Sequence, residues 1–247
     1  KIYYTFTNST YKMMKIDIII PVYNEGENIV TIIKKIEKEV SYNFKILICY
    51  DNENDSTLTY LKNKSIISNE ILFIKNPGQG PNSAIIEGIN KSSGEIILVY
   101  MADDFENVHL INNMADLIKN GNHLVIPSRF IKGGKMLGAK RMKKAVTVIG
   151  SYLIYYIARI PFRDCTNAFK MFSKELKNTV KLESKTGFTF ALEMVVKSYI
   201  LNLKIIEIPS SWVEVKNRKS NFKVLKWLPN YLYWLIYAIM KNLFRFK

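Results

Sequence analysis

The sequence predicts an α/β domain built on an open, mostly parallel sheet with helices on both faces. Three observations predict it. Short β-branched, apolar runs recur through the first half of the chain. Segments with the apolar period of an amphipathic helix separate these runs. Strand and helix patterns alternate five times, which is typical of a parallel sheet whose crossovers are helical.

The elements follow in a regular order at first. The predicted strands cover residues 16–22, 44–50, 71–75, 95–101 and 123–130. The predicted helices between them cover residues 28–40, a segment that begins near Ser56, and residues 82–91 and 109–120. The second part is less regular: a loop at 131–140, an apolar helix at 143–158, a loop and strand at 164–172, a helix at 188–201, a strand at 204–209 and a basic loop at 216–221. We therefore predict a lead-in segment at 1–14, one domain at 15–221 and an amphipathic membrane-interface helix at 222–247.

Composition is consistent with one packed domain. The chain has 247 residues, of which 48% are hydrophobic and 23% charged, so a core is expected rather than disorder. Cys49 and Cys165 lie in apolar surroundings without a CxxC spacing and indicate reduced core residues of a cytosolic protein. The net charge of +15 would suit nucleic acid, an anionic membrane or a phosphorylated substrate, and the charge alone does not choose among them.

The strand pattern predicts where functional residues should lie. In open parallel sheets, ligands bind beyond the carboxyl ends of the strands. Polar clusters occupy those positions here, at residues 24–25, 51–55, 76–80 and 103–106.

Asp103 is the first candidate among them, because it directly follows an apolar strand and has Asp104 and Glu106 close behind it. Carboxylates in this position commonly bridge Mg²⁺ or Mn²⁺ to substrate phosphates. The alternative is a solvated acidic turn that caps the helix near His109. The spacing alone leaves both interpretations open.

Asp51 and Asp55 form a second acidic group, which could bind a ribose or a base through hydrogen bonds. For Asp55 the local pattern favours a helix N-cap instead. Gly78 and Gly80 precede a helix and could present backbone amides to phosphate, although an isolated GxG more often marks only a turn.

The ordered set of motifs resembles the family 2 glycosyltransferases of GT-A fold, and within them the dolichol-phosphate mannosyltransferase branch of polyprenyl-phosphate glycosyltransferases. The motifs that carry the resemblance are PVYNE at 21–25, the acidic loop around Asp51, Ala102–Asp103, VIPSRF at 125–130 with Gly133–Gly134, DCTNAFK at 164–170, Gly187–Phe188 with Glu193, IEIP at 206–209 and SNFK at 220–223. Met101 stands where the family's DxD motif has its first aspartate, and Gln79 stands where a basic residue is common.

The resemblance implies roles for particular residues. Pro21, Tyr23, Glu25 and Asp51 would hold the nucleoside, and Gly80 would approach the donor. Asp103 would hold a divalent metal, Mg²⁺ or Mn²⁺, together with the donor diphosphate, and Asp104 and Glu106 would assist as metal ligands. The residues expected to surround the donor and acceptor phosphates are Arg129, Arg141, Lys170, Arg218, Lys219 and Ser220. Asp103, Arg129 and Lys170 are the predicted catalytic residues.

The resemblance further implies an inverting transfer from a nucleotide-sugar donor, GDP-mannose or a UDP-hexose, to a polyprenyl or dolichyl phosphate. We expect no nucleic-acid partner and a location on the cytoplasmic face of the membrane, with residues 143–158 and 222–244 in the interface. A core role for residues 143–158 is an equal alternative. Two other functions stay open, namely transfer to a saccharide hydroxyl in surface-polysaccharide synthesis and nucleotide-sugar binding without catalysis.

Overall fold

The computed structural model describes residues 14–62, 70–139, 141–214 and 224–245. Its strands are β1 (Ile16–Pro21), β2 (Phe44–Tyr50), β3 (Ile71–Lys75), β4 (Ile96–Val99), β5 (Leu124–Ser128), β6 (Lys135–Leu137), β7 (Lys170–Ser173), β8 (Ile205–Pro209) and β9 (Ser211–Val213). Its α-helices are α1 (Asn28–Glu39), α2 (Ser56–Lys62), α3 (Pro81–Lys91), α4 (Leu110–Lys119), α5 (Arg141–Tyr152), α6 (Lys174–Thr179), α7 (Phe190–Ile200) and α8 (Val224–Arg245). A π-helix (Leu153–Ile157) continues α5.

Seven strands form one sheet in the order β3-β2-β1-β4-β7-β5-β8. Every pairing in it is parallel except those of β7, which runs antiparallel to both β4 and β5. The predicted mostly parallel sheet is therefore confirmed. β6 and β9 form a separate parallel pair beside it.

Helices cover both faces of the sheet, as predicted. In β1, Ile18 packs in the cluster that contains residues of α1 and α4, whereas the next residue, Ile19, packs in the cluster that contains residues of α3 and α7. This alternation follows from the period of two in a strand. Cys49 and Cys165 are free and buried, in agreement with the predicted core positions.

The second part of the chain differs from its prediction in four places. Residues 131–140, predicted as a loop, contain β6, while α6 and β9 were not predicted. The predicted helix at 143–158 is α5 followed by the π-helix. The tail is helical, as predicted, and Pro229 lies inside α8. No helix in the described parts of the chain has the length and apolar character needed to cross a bilayer.

Candidate active site

A large cavity opens at the carboxyl ends of β1, β2 and β4, where the strand order predicts a ligand site. Its volume is about 1160 Å³. The predicted site residues that line it are Pro21, Tyr23, Glu25, Asp51, Gly80, Asp103, Asp104, Glu106 and Arg129. The fold therefore brings together residues that lie more than a hundred positions apart in the sequence.

The turn after β1 is fixed by the start of α2. The backbone N–H of Asn24 donates to Asp55 Oδ2 at 3.0 Å, and the N–H of Glu25 donates to Thr57 Oγ1 at 3.0 Å. Asp55 Oδ1 also accepts from the N–H of Thr57 at 2.8 Å, which confirms the predicted N-cap role of Asp55. These bonds leave the Tyr23 ring, which is 59% exposed, at the rim of the cavity.

Asp51 organises the glycine loop that precedes α3. Its Oδ1 accepts from Asn76 Nδ2 at 2.6 Å, and its Oδ2 accepts from the backbone N–H of Gly80 at 2.8 Å. Gly80 has φ +84°, a left-handed conformation that glycine adopts at little cost. Asp51 thus shapes the loop beside the cavity and still lines the cavity itself.

Asp104 serves the turn after β4. Its Oδ1 accepts from the backbone N–H groups of Glu106 and Asn107, and Asn107 Nδ2 donates to both of its carboxylate oxygens at 2.9 and 2.8 Å. Burial raises the pKa of Asp104 to about 6, and the neighbouring charge of Asp103 adds to the rise, against the opposing effect of the hydrogen bonds from Asn107 and Glu106. Helix α4 begins at Leu110, so Asp104 stabilises the turn that precedes the helix.

Three carboxylates after β4, those of Asp103, Asp104 and Glu106, are the predicted metal ligands. Among the described residues, no three His, Cys, Asp or Glu side chains come together as a set that could hold a metal ion by itself. The predicted trio of Asp103, Asp104 and Glu106 is therefore not a complete site, because Asp104 is engaged in the turn. Mg²⁺ is commonly bound by only one or two carboxylates together with substrate phosphates, and Asp103 on the cavity wall fits that arrangement.

Arg129, which follows β5, lines the cavity and is paired with a buried carboxylate. Its Nε donates to Asp164 Oδ2 at 2.7 Å and its Nη2 to Asp164 Oδ1 at 2.8 Å, a bidentate pair. Burial alone would lower the pKa of Arg129, but the charge and hydrogen bonds of Asp164 outweigh it and raise that pKa. Asp164 is held in turn by Glu207, whose carboxylate accepts from the N–H of Asp164 at 2.8 Å. Arg129 is thus a fixed cation on the cavity wall.

Lys170 lies elsewhere than predicted. Its side chain is fully buried, it does not line the cavity, and its Nζ has no hydrogen-bond partner in the described structure. Burial lowers the pKa of Lys170 to about 8, although the charge of Asp164 acts in the opposite direction. The prediction for Lys170 is wrong because this residue begins β7. Side chains of a strand point alternately to the two faces of the sheet, and both faces are buried here.

Of the four other predicted phosphate-binding residues, the described structure includes only Arg141. Arg141 is exposed at the start of α5 and does not line the cavity. Arg218, Lys219 and Ser220 lie outside the described residues.

The far end of the cavity is apolar and is formed by two helical segments. Val146, Ile149 and Leu153 contribute from α5 and the π-helix, and Leu232 and Leu235 contribute from α8. The two segments are joined where Asn242 Nδ2 of α8 donates to the carbonyl oxygen of Ala158 at 2.5 Å. The cavity therefore has a polar end at the strand ends and an apolar end between helices.

Sequence reasoning missed several side chains of the wall. They are Lys185, Thr186, Trp212, Lys226, Trp227 and Tyr231. The motif Gly187–Phe188 was the available signal for the first two, because it directly follows them. The aromatic residues of α8 were interpreted only as membrane contacts, since their distance in sequence from the other site residues hides their position.

The loop at 182–188, which carries Lys185 and Thr186, is held from two sides. Glu193 Oε1 and Oε2 accept from the backbone N–H groups of Glu183 and Ser184 at 2.6 and 2.7 Å. Asn82, two residues after Gly80, donates from Nδ2 to the carbonyl oxygen of Ser184 at 2.6 Å. The loop is thereby connected to the glycine loop at the polar end.

Helix α8 holds the same loop. Trp234 Nε1 donates to Ser184 Oγ at 2.9 Å, and the Trp227 ring packs edge-on against Phe188 with centroids 5.9 Å apart. Gly187 has φ +60°, and a Cβ added there would lie 2.5 Å from Cδ2 of Trp227. Only glycine fits under this ring, so α8 and the loop form one continuous part of the wall.

The chain belongs to glycosyl transferase family 2, whose family model matches residues 17–180. The fold is the one expected from the resemblance described above. A dolichol-phosphate mannosyltransferase from Pyrococcus furiosus is 28% identical over 201 residues, which are 79% of this chain and 56% of the relative. A dolichyl-phosphate beta-glucosyltransferase from Dictyostelium discoideum is 24% identical over 225 residues, which are 83% of this chain and 68% of the relative. The chain spans only 56% and 54% of the first two curated relatives it matches.

Solved structures show the same fold. The glucosyl-3-phosphoglycerate synthase of Mycobacterium tuberculosis, in complex with Mn²⁺, UDP and glucosyl-3-phosphoglycerate, matches with a TM-score of 0.65 at 12% identity. The match covers 92% of this chain and 80% of the synthase. A complex of the same synthase with Mg²⁺ and UDP matches with a TM-score of 0.62. The GT-A fold predicted from the motifs is thus confirmed.

Proposed function

We propose that this protein is an inverting, metal-dependent glycosyltransferase that moves a sugar from GDP-mannose or a UDP-hexose to a polyprenyl or dolichyl phosphate. The observation that carries the proposal is the two-ended cavity. Its polar end offers carboxylates, the glycine loop before α3 and a fixed arginine, and its apolar end continues between α5, the π-helix and α8. A ligand with a charged head and a long hydrocarbon chain matches this combination.

The donor is assigned to the polar end. Tyr23, Glu25 and Asp51 would bind the nucleoside, and the loop at Gly80 would approach the diphosphate. A divalent cation, held by Asp103 and the diphosphate oxygens, would stabilise the negative charge on the leaving group. The names of the similar proteins support this assignment, since the synthase structures contain UDP with Mn²⁺ or Mg²⁺.

The acceptor supplies its own nucleophile. A phosphate monoester has its second pKa near about 6, so it is already a dianion for the most part at neutral pH and needs no general base. An oxygen of this phosphate would attack the anomeric carbon as the bond from that carbon to the nucleoside diphosphate breaks. The nucleoside diphosphate leaves with the electron pair, and one displacement inverts the configuration. Arg129, which Asp164 holds in place, would stabilise the phosphates around this centre.

Membrane attachment is part of the proposal. Polyprenyl phosphates reside in bilayers, and α5, the π-helix and α8 carry exposed apolar side chains beside the apolar end of the cavity. We propose that the protein lies peripherally on the cytoplasmic face of the membrane, in the manner of interfacial amphipathic helices. The two relatives named for dolichol-linked sugars support the same acceptor class.

The decisive assay offers radiolabelled GDP-mannose, UDP-glucose and other nucleotide sugars with Mn²⁺ and polyprenyl phosphate in detergent. Label that moves to the organic phase would support the proposal. Label found only on an added saccharide would replace it with transfer to a hydroxyl, and donor binding without turnover would replace it with a binding function.

A matched pair of leucine variants tests the apolar end. Leu232 is 43% exposed and lines the cavity, whereas Leu201 is 48% exposed at the end of α7 and does not. Leu232→Gln should raise the KM for the lipid acceptor several-fold and leave the KM for the donor unchanged, and Leu201→Gln should change neither. Equal lipid KM values in both variants would remove the apolar end from the acceptor site.

A further inference from the structure

A second, smaller cavity lies outside the proposed active site. Its volume is about 130 Å³, and it is lined by Phe130, Val148, Ser151, Tyr152 and Arg163. None of these residues lines the large cavity. It is therefore a separate feature of the surface that includes α5 and the π-helix.

Arg163 is the charged member of this small cavity and is held by tyrosines. Its guanidinium carbon lies 3.5 Å from the ring centroid of Tyr155 and 5.4 Å from that of Tyr156. Its Nη1 donates to the Tyr156 hydroxyl at 3.3 Å. Tyr152 stacks at a tilt on Tyr156 with centroids 4.2 Å apart, so the three tyrosines form one cluster around the cation. Contacts of this kind orient an arginine without neutralising its charge.

The charge of Arg163 contrasts with that of Arg129. Arg129 is bound by both oxygens of Asp164, whereas in the described parts of the chain Arg163 forms no side-chain ion pair. The Glu207 carboxylate accepts from the backbone N–H of Arg163 at 2.9 and 3.0 Å, which fixes the backbone and leaves the guanidinium available. The charge of the Arg163 guanidinium is therefore available to attract an anion from outside the protein.

The surroundings of Arg163 indicate where that anion comes from. Val148, Tyr152, Tyr156 and Ile157 are 41–59% exposed, so apolar and aromatic side chains surround the cation on the outer surface. Tyr155 and Tyr156 lie in the π-helix, and Tyr152 is the last residue of α5. π-helical turns occur often at functional sites. Aromatic residues beside a basic residue are typical of the headgroup depth of a bilayer. A net charge of +15 also favours an anionic surface over a neutral one.

We propose that Arg163, with Tyr152, Tyr155 and Tyr156, forms a binding site for the phosphate of an anionic phospholipid headgroup, and that this site orients the protein on the bilayer. The site is distinct from that of the polyprenyl phosphate, and the inference rests on the proposed function only for membrane attachment. Arginine suits such a ligand because its planar group donates two hydrogen bonds to phosphate oxygens.

Co-sedimentation with phosphatidylcholine vesicles, with and without phosphatidylglycerol, tests the site. Arg163→Gln should lower the partition coefficient on the anionic vesicles about fivefold, the effect of one basic residue close to such a surface. It should leave binding to neutral vesicles unchanged, because the apolar contacts remain. For Arg163→Lys, which keeps the charge but loses the planar guanidinium, the partition coefficient on anionic vesicles should lie between those of the wild type and Arg163→Gln. Circular dichroism of each variant should show an unchanged fold.

Lys38→Gln is the matched control, since Lys38 is exposed on α1 and distant in the chain from the tyrosine cluster. An equal loss of anionic binding in Lys38→Gln and Arg163→Gln would overturn the proposal in favour of diffuse charge attraction. Unchanged binding of Arg163→Gln would overturn it directly. A thermal shift by inorganic phosphate that Arg163→Gln abolishes, without a change in vesicle binding, would replace it with a site for soluble phosphate.

Transfer activity in detergent separates this proposal from the proposed function. Arg163→Gln should transfer sugar in detergent at the wild-type rate, because Arg163 does not line the large cavity. If the wild-type protein transferred no sugar but Arg163→Gln selectively lost binding to anionic vesicles, the headgroup site would be supported and the proposed activity refuted. If the wild-type protein transferred sugar to lipid and Arg163→Gln bound anionic vesicles normally, the proposed activity would be supported and the headgroup site refuted.

Discussion

The two ends of the large cavity are constructed in different ways. At the polar end, Asp51 follows β2 and Asp103 lies in the turn after β4, the two strands on either side of β1, while Gly80 precedes α3, so each is placed by the element beside it. At the apolar end, the wall consists of α5, the π-helix and α8, and α8 holds the loop at 182–188 through long-range contacts such as that of Trp234 with Ser184. Arg129 of the polar end also depends on a long-range contact, that with Asp164, a residue 35 positions later.

We therefore expect substitutions at the two ends of the cavity to have different effects on activity and stability. A change at the polar end removes a ligand from a turn that other bonds still hold, so activity should fall while the fold survives. A change in the supporting contacts of the other end should affect stability first. Three variants test this expectation, and a fourth tests the buried Lys170.

Asp103→Asn should reduce the rate of sugar transfer by at least about 10²-fold, because it removes the carboxylate proposed to hold the metal and diphosphate. Its free energy of unfolding should stay close to that of the wild type. Initial rates over a range of Mn²⁺ concentrations and urea unfolding measure the two quantities. Asp116→Asn is the control, since Asp116 is an exposed aspartate of α4 that bonds Tyr42 instead; a near-normal rate in Asp103→Asn would refute the metal assignment.

Asp164→Asn should lower the free energy of unfolding by about 3 kcal/mol, because the buried Arg129 guanidinium loses its charged partner. Urea unfolding measures it. The double variant Asp164→Leu with Arg129→Met should be more stable than this single variant, since no uncompensated charge remains. A double variant that is less stable than Asp164→Asn would show that the pair itself, rather than an unpaired charge, governs the loss.

Gly187→Ala should lower the free energy of unfolding by about 1–3 kcal/mol more than Gly121→Ala does. Both glycines have positive φ, but a Cβ at Gly187 meets the Trp227 ring, whereas a Cβ at Gly121 meets nothing within 4 Å. The difference between the two thermal or urea transitions therefore measures the contact between α8 and the loop. Equal losses of unfolding free energy in the two variants would mean that the contact with Trp227 adds nothing to the cost of a non-glycine residue at positive φ.

Lys170→Met should change the pH dependence of stability. The pKa of Lys170 is lowered to about 8 in the folded protein, and unfolded lysine titrates near about 10.4. Between these values the unfolded chain binds the proton and the folded chain does not, so the wild type gains stability as the pH rises from about 8 to about 10.

In Lys170→Met this rise in stability between about pH 8 and about pH 10 should be absent. At neutral pH, where the wild type buries the charged ammonium, the variant should be about 1 kcal/mol more stable than the wild type. Urea unfolding at neutral pH and near about pH 9 measures both changes. Lys38→Met, an exposed control on α1, should follow the wild type, and an identical pH slope for Lys170→Met would contradict the burial argument.

The same division explains how much the sequence could predict. Asp51, Gly80 and Asp103 were found because the strand-end rule needs only local patterns. Arg129 was found through the motif around it, yet its partner Asp164 was not, because no local signal joins the two. Lys170 was assigned to the site because it belongs to the motif at 164–170. A motif shows that a residue is present, but it does not show which face of a strand carries the side chain.

Other features depended on packing and could not be predicted locally. The antiparallel direction of β7 leaves no mark on its short apolar sequence. The π-helix differs from α5 in hydrogen bonding rather than in composition. The engagement of Asp104 in the turn depends on Asn107, whose side chain also bonds the backbone of Ser211 on β9.

The position of β7 has a consequence for the order of folding. Strands β1 to β4 pair with one another within residues 16–99, whereas β5 reaches the rest of the sheet only through β7, which joins Ile96 to Ser173 and Leu124 to Phe172. Closing so long a loop costs conformational entropy and slows the step that requires it. We expect hydrogen exchange during refolding to protect β1 and β2 before β5. A partly folded chain would then present the turns around Tyr23 and Asp51, the proposed donor-binding residues, before Arg129 reaches the cavity.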